Sequence, residues 1–413
     1  MMPDFERQLS DYAEVIVRVG LNLQRGQRLL MAEPYELQGV ARSAQPLVEA
    51  VKSAAIRAGS PDVEVIWGDA VRLRGFAANK DWHELAQLAT DHADQMDSYV
   101  QNGDAVLFLL GSQPTLMEGL PSRQVAQARN ICSEHFGRIA QQLVQGATNW
   151  TATPAPSPEW ADTAFRELPT DQRLDELWKT VFASVRIDVD ASTIASQSDS
   201  SLARSLAAWD EHLKTLAQHR DDLNAQRFRS IQFQGPGTDL IVTLPREHLW
   251  CTACLRSKAG VNFVANLPTE EVFTLPHKDS AHGTARIARP ITFGGAIIDG
   301  IELEFAQGRI INATARNGDA LLQRLITTDP GACRLGEIAL SGNFSQSSEI
   351  GASPPPWASG RLLHHVLLDE NASSHIALGE GYGFCLSAPN PDALNRSLIH
   401  VDLSLSATAN LRK

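Results

Sequence analysis

The sequence predicts a two-part fold, an N-terminal α/β domain built on a parallel sheet followed by a C-terminal α+β domain. Three observations carry this. Over residues 1 to about 150, short apolar runs alternate with amphipathic helical stretches, the pattern of strand–helix–strand units that pair in parallel. Residues 150–225 read as helical, with Trp160, Trp178 and Trp209 as anchors. From Ser230 the apolar period changes to two, and Gly-containing turns separate the runs, as antiparallel hairpins require. We place the division at 1–225 and 226–413. A chain of 413 residues is long enough for two or three domains.

Each element has its own signal. Phe5, Leu9, Tyr12, Val15, Ile16 and Val19 recur at helical spacing, and Gly20 stops the run. Residues 27–31 form a short buried strand; 46–58 form a helix that Gly59 ends; 63–67 and 104–110 are two further strands. Pro154, Pro156 and Pro158 bend the chain ahead of the tryptophan-anchored helices. Ile231 and Phe233, then Leu240, Val242 and Leu244, alternate about Gly235-Pro236-Gly237, which marks a hairpin. Residues 301–305 and 309–311 flank Gln307-Gly308 as a second hairpin, and 319–327 form a helix leading into Gly336-Glu337. Residues 345–359, with Pro354-Pro355-Pro356, read as a polar loop. No Gly-rich phosphate loop follows any strand, which argues against a nucleotide site.

Acidic residues outnumber basic ones, 48 to 36, for a net charge of −12. Without a basic stripe, this argues against nucleic acid as the main partner. The five cysteines are sparse and odd in number, unlike a disulfide framework. The first residues lack a basic and apolar leader, and apolar runs such as 105–110 are far too short to span a bilayer. The expectation is a cytoplasmic enzyme with reduced thiols and neither a membrane nor a nucleic-acid partner.

The chemistry concentrates in the last third. Four motifs, Pro268-Thr269-Glu270-Glu271-Val272-Phe273, Gly336-Glu337-Ile338-Ala339-Leu340, the segment 370–379 containing His375, and His400-Val401-Asp402, combine carboxylates with imidazoles. This mixed nitrogen and oxygen donor set suits Zn, Co or Mn and is large enough for two ions. Two ions a few Å apart activate one water, which points toward a hydrolase. His400 and Asp402, two apart in a strand, share a face that Val401 and Leu403 do not. Glu337 enters an apolar run and needs a partner or a metal. Glu270-Glu271 read equally as a helix start, where acids meet the dipole, and His375 reads equally as a hydrogen-bonded core histidine. Cys251 and Cys254 lack the second Cys pair of a zinc site. His364-His365, flanked by Leu362, Leu363, Val366 and Leu367, reads as packing or surface.

As an ordered set, these motifs resemble the M29 family of metal-dependent aminopeptidases, and the likeness covers most of the chain. It runs from Tyr12-Ala13-Glu14 and Gly20-Leu21-Asn22 through Trp160-Ala161, Leu177-Trp178 and 235–240 to 266–274, Leu335-Gly336-Glu337, 369–373, 375–379 and His400-Val401-Asp402. The resemblance implies a two-metal site with Glu271, Glu337, His375, His400 and Asp402 as ligands and Tyr382 beside them. Glu337 is the implied bridge, and the spacing to Glu337 favours Glu271 over its neighbour Glu270. It further implies a C-terminal metallopeptidase domain, a homodimer around an internal cavity, and short peptides as substrates. The chain departs from the family pattern in three places. Residues 341–360 are longer by several positions, and His282 stands where an acid precedes Gly283. Leu403-Ser404-Leu405-Ser406 replaces Phe-Met-Ile-Gly, with Lys413 last and no further terminal segment.

The implied chemistry is removal of the N-terminal residue. One metal binds the α-amino group and the scissile carbonyl, Glu337 or Glu271 shuttles the proton, and Tyr382 donates to the oxyanion. Two other readings stand beside it. Ring-cleaving dioxygenases look distantly similar and use one Fe(II), for which His375, His400 and Asp402 would supply the triad; that leaves Glu271 and Glu337 without a use. A catalytically silent binding homologue draws its support from the altered C-terminus alone.

Overall fold

The computed structural model describes residues 4–34, 38–111, 113–187, 200–341, 349–350 and 360–413. It is a mixed α and β structure with one parallel sheet and separate antiparallel sheets. Two compact units emerge, one comprising Met1–Leu120, Gln127–Lys214 and Ala253–Pro268, the other Pro121–Ala126, Thr215–Thr252 and Thr269–Lys413. Apart from 349–350, the polar loop expected over 345–359 lies outside the described residues.

In the first unit the strands β1 (Leu29–Ala32), β2 (Val63–Val65), β3 (Ala105–Leu110) and β4 (Trp150–Pro154) pair in parallel in the order β2-β1-β3-β4. Every residue of β1 and β3 is buried, as central parallel strands covered on both faces require, and this is why they read as unbroken apolar runs. The helix Gln45–Ala58 joins β1 to β2 and stops at Gly59, whose φ of 96° is the left-handed conformation that favours glycine at a helix end. Trp150–Pro154 differs from expectation, since it lies within the stretch read as helical. Thr151 and Thr153 prefer extended backbone, and at the sheet edge Pro154 ends the strand without breaking a ladder on both sides. The Ala152 N–H donates to the Ala265 carbonyl, and the Leu267 N–H to the Ala152 carbonyl, covering that edge. Helices follow from Pro158, with Trp160, Trp178 and Trp209 buried as anchors.

In the second unit a seven-stranded sheet runs in the order Arg309–Thr314, Glu302–Ala306, His282–Arg286, Thr238–Thr243, Ser230–Gly235, Thr408–Arg412, Glu349–Ile350. Both expected hairpins are present. Gly235 pairs with Thr238 across Pro236-Gly237, and Ala306 pairs with Arg309 across Gln307 and Gly308. Both residues of the second turn have positive φ, which matches the twist of the flanking strands. Thr408–Arg412 pairs with Ser230–Gly235, so the residues after the divergent Leu403-Ser404-Leu405-Ser406 run complete this sheet.

A second antiparallel sheet has four strands in the order His400–Ser404, His375–Gly379, Leu335–Ser341, Glu271–Thr274. One face is a dry layer of Val272, Ile338, Leu340, Ile376, Leu378 and Leu403, all buried. Each such side chain contributes about 1.5–3 kcal/mol by leaving water. The other face carries the four acidic and histidine motifs.

Candidate metal centre

Strand register assembles the site. Glu337 pairs with Ala377, and Ala377 with Asp402. His375 pairs with Ala339, and Ala339 with Phe273. His400 pairs with Gly379. Paired residues share a face, and positions i and i+2 of one strand do too. Glu271, Phe273, Ala339, Glu337, His375, Ala377, His400 and Asp402 therefore crowd one side of the sheet. The small residues between them matter. Ala339 and Ala377 add only methyl groups, and Gly379, at φ 100°, would place a Cβ 2.1 Å from the Ile399 carbonyl oxygen, so no larger residue fits there.

Two donor groups form on this face, Glu271 with Glu337 and His375, and Glu337 with His400 and Asp402, each with its ligand atoms within 4.8 Å of one another. His375 Nε2 lies 3.3 Å from Glu271 Oε2, 3.6 Å from Glu337 Oε1 and 3.7 Å from Asp402 Oδ1. His400 Nε2 lies 3.6 Å from Glu337 Oε2 and 3.4 Å from Asp402 Oδ1. Glu337 thus turns one oxygen toward each histidine. Glu270, the alternative to Glu271, is in neither group; it precedes the strand, which begins at Glu271. Its N–H donates to Asn371 Oδ1 at 2.6 Å.

Both histidines are held from behind. His400 Nδ1 lies 2.8 Å from the Glu380 carbonyl oxygen and His375 Nδ1 lies 3.4 Å from that of Ser373. An Nδ1–H donated to a carbonyl leaves Nε2 as the free donor facing the site, the arrangement common to metal-binding imidazoles. The Tyr382 ring stacks on His400 with centroids 4.8 Å apart.

The electrostatics are those of a crowded anionic pocket. Glu271, Glu337 and His375 are 5%, 4% and 1% exposed. Burial raises Glu271 above the usual carboxylate range, and the charges of Glu337 and Asp402 add to this against the opposing pull of His375. Burial alone would lower His375, but Glu271, Glu337 and Asp402 push it up to about 10. His400 is likewise opposed by burial yet pushed up to about 9 by Asp402 and Glu337. Burial works to raise Asp402 too, but His400, His375 and a hydrogen bond from Glu370 hold it well below its ordinary value.

Glu370 was not among the residues singled out from the sequence as ligands. It is buried at the end of the short helix Val366–Glu370. Burial and the nearby charges of Asp402 and Glu271 keep its carboxyl protonated far above the usual range, hydrogen-bonded to Asp402. The available signal was two consecutive acids directly after Leu367-Leu368. Asp369, the other acid, is accounted for separately. It accepts from the backbone N–H groups of Leu363 and His365 and pairs with Arg289 at 3.1 Å. Of the remaining candidates, Cys251 and Cys254 form no disulfide, and His364 and His365 belong to neither donor group.

The residues fit divalent cations. Glu271 Oε2 is buried, accepts no hydrogen bond and lies 3.3 Å from His375 Nε2, so a carboxylate oxygen and an imidazole nitrogen stand ready for a cation that displaces the proton between them. Three carboxylates (Glu271, Glu337, Asp402) and two imidazoles converge, a mixed oxygen and nitrogen donor set that suits divalent cations. Ala377→Val would place two more methyl groups between Glu337 and Asp402. The expected outcome is a folded protein that binds at most one equivalent of Zn, with hydrolysis reduced at least about 100-fold by misplacement of the donors. Metal analysis of the dialysed variant beside the wild type checks it.

The family model for thermophilic metalloprotease (M29) matches residues 5–410. Aminopeptidase T of Thermus thermophilus is 35% identical over 407 residues, covering 97% of this chain and 93% of that protein. Aminopeptidase 2 of Geobacillus stearothermophilus is 32% identical over 422 residues, covering 99% and 94%. The solved structure of wild-type AmpT from Thermus thermophilus superposes with a TM-score of 0.81 at 34% identity, covering 97% of this chain and 93% of that one.

Proposed function

The chain belongs to the M29 metallopeptidase family and is a metal-dependent aminopeptidase, and from that premise we propose that it removes the N-terminal residue of short peptides at a site for two divalent cations. Glu271, Glu337, His375, His400 and Asp402 would hold the ions, with Glu337 shared between them. The observation that carries this reading is the carboxylate of Glu337, which turns Oε1 toward His375 and Oε2 toward His400 at 3.6 Å each.

When bound, divalent cations supply Lewis-acid polarisation of the scissile carbonyl and a water acidic enough to act as hydroxide near neutral pH. The chain's own groups supply the rest. Glu337 or Glu271 takes the proton of the attacking water and returns it to the departing amine. Tyr382 donates a hydrogen bond to the carbonyl oxygen as charge builds there. The backbone carbonyls of Glu380 and Ser373 keep the two imidazoles in one orientation. The low exposure of Glu271, Glu337 and His375 strengthens every charge interaction in the pocket.

The same reading carries a Zn, Co or Mn pair, a catalytic part within 226–413, an α/β part within 1–225, a homodimer, and a cytoplasmic location. Five cysteines, none of them in a disulfide, support a reducing compartment. Among the described residues, no helix is long and apolar enough to cross a membrane. The single-iron reading is not favoured, because Glu271 and Glu337 both crowd His375, and a mononuclear triad needs neither.

Purified protein loaded with Co or Zn is expected to release the first residue from aminoacyl p-nitroanilides and from tripeptides, and to leave N-acetylated tripeptides intact. Elemental analysis is expected to give two ions per chain. One iron per chain with no peptide cleavage would remove this assignment.

A further inference from the structure

We propose that Phe384 is a positioning residue for the reaction and acts through Tyr382. The inference rests on the aminopeptidase reading above. Tyr382 sits in a run of aromatic contacts that begins at a candidate ligand. Its ring stacks on His400 at 4.8 Å with planes 28° apart, and on Phe384 at 5.3 Å with planes 9° apart. Phe273 meets Tyr382 and Phe384 edge-on, at 6.0 Å and 6.1 Å. Both geometries are favourable for aromatic rings. Phe273 is also two residues beyond Glu271 in the same strand, so it ties the ring cluster to the site face of the sheet.

The backbone fixes Phe384 independently of Tyr382's hydroxyl. The turn Gly383–Cys385 is closed by the Cys385 N–H donating to the Tyr382 carbonyl at 2.9 Å. It is tied down by the Leu249 N–H donating to the Cys385 carbonyl at 2.8 Å. Phe384 is half-buried and belongs to neither donor group, so its ring is not needed to hold a ligand. What it restrains is the freedom of the Tyr382 ring about its two side-chain torsions. A hydroxyl that must meet a developing oxyanion loses rate steeply with small displacements.

The test is a double-mutant cycle on the metal-loaded enzyme. Phe384→Leu is expected to lower kcat about two- to tenfold, the range one aromatic stack corresponds to, with KM and metal content unchanged. In a Tyr382→Phe background the same change should cost nothing further, and Phe384→Tyr should restore kcat. A readout independent of activity accompanies it. In protein labelled with 13C-tyrosine, the Tyr382 ring signal, assigned by its loss in Tyr382→Phe, should shift in Phe384→Leu as a neighbouring ring current disappears. Equal losses in both backgrounds, or an unmoved Tyr382 signal, would overturn the role of Phe384. A wild type inactive with both Co and Zn would instead overturn the aminopeptidase reading.

Discussion

Glu337→Gln is expected to reduce hydrolysis of aminoacyl p-nitroanilides at least about 1000-fold, the scale set by loss of a proton-transfer group together with a metal ligand. The amide has nearly the shape of the carboxylate, so packing against Ala377 across the strands is retained. What is lost is charge at the one residue common to both donor groups. The substituted amide would present one oxygen and one N–H₂ where His375 and His400 now each face an oxygen of Glu337 at 3.6 Å, and an N–H₂ cannot serve a cation. Metal content should fall from two ions to one or none. With chelator present the substitution relieves repulsion with Glu271 and Asp402 but also removes the attraction to His375 and His400. The two effects oppose each other, so the melting temperature of the chelated variant is expected to stay close to that of the chelated wild type. Activity above about a tenth of wild type with two ions still bound would remove Glu337 from the centre of the mechanism.

Part of this site was legible in the sequence because strand periodicity is local. His400 and Asp402 could be placed on one face from spacing alone, and their distance of 3.4 Å follows from it. The meeting of Glu271 with His375 was not legible in that way. It depends on Ala339 pairing with both His375 and Phe273, and register between distant strands is set by the whole sheet rather than by either segment. The resemblance to a known family stood in for that missing step. The apolar strands β1 and β3 were plain because burial on both faces leaves an unbroken apolar run. Trp150–Pro154 was missed because an edge strand rich in threonine and ending in proline carries no such run, and its extended backbone is confirmed only by pairing with β3. Glu370 was missed because its partner, Asp402, is distant in sequence and the hydrogen bond between them exists only once the sheet has formed.

The gain in thermal stability from added Zn or Co is expected to widen as pH rises from about 6.5 to 10, and the reason lies in where the site's protons reside without cations. His375 is pushed up to about 10 and His400 to about 9, above the ordinary histidine value of about 6.5. A raised histidine stabilises the fold fully below its unfolded value, and that contribution is lost as pH climbs through the folded value. Glu271 and Glu370 act in the same sense, since both are raised by burial first and ionise in the chelated fold at a cost the unfolded chain does not bear. Asp402 is lowered, so its contribution is already complete above the ordinary aspartate range and does not change in this window. The chelated protein should therefore lose stability steadily between pH 6.5 and 10. Cations reverse the requirement, because imidazole and carboxylate must shed their protons to bind them. Binding to the fold alone stabilises it in proportion to the logarithm of concentration over Kd, and Kd should tighten as those protons become easier to remove. Calorimetric scans with and without chelator across this pH range measure the difference directly. In weakly buffered solution at pH 7, each loading event should also release protons. A melting-temperature gain that stays constant or shrinks toward pH 10, with no proton release, would mean that these histidines and glutamates are not where the cations bind.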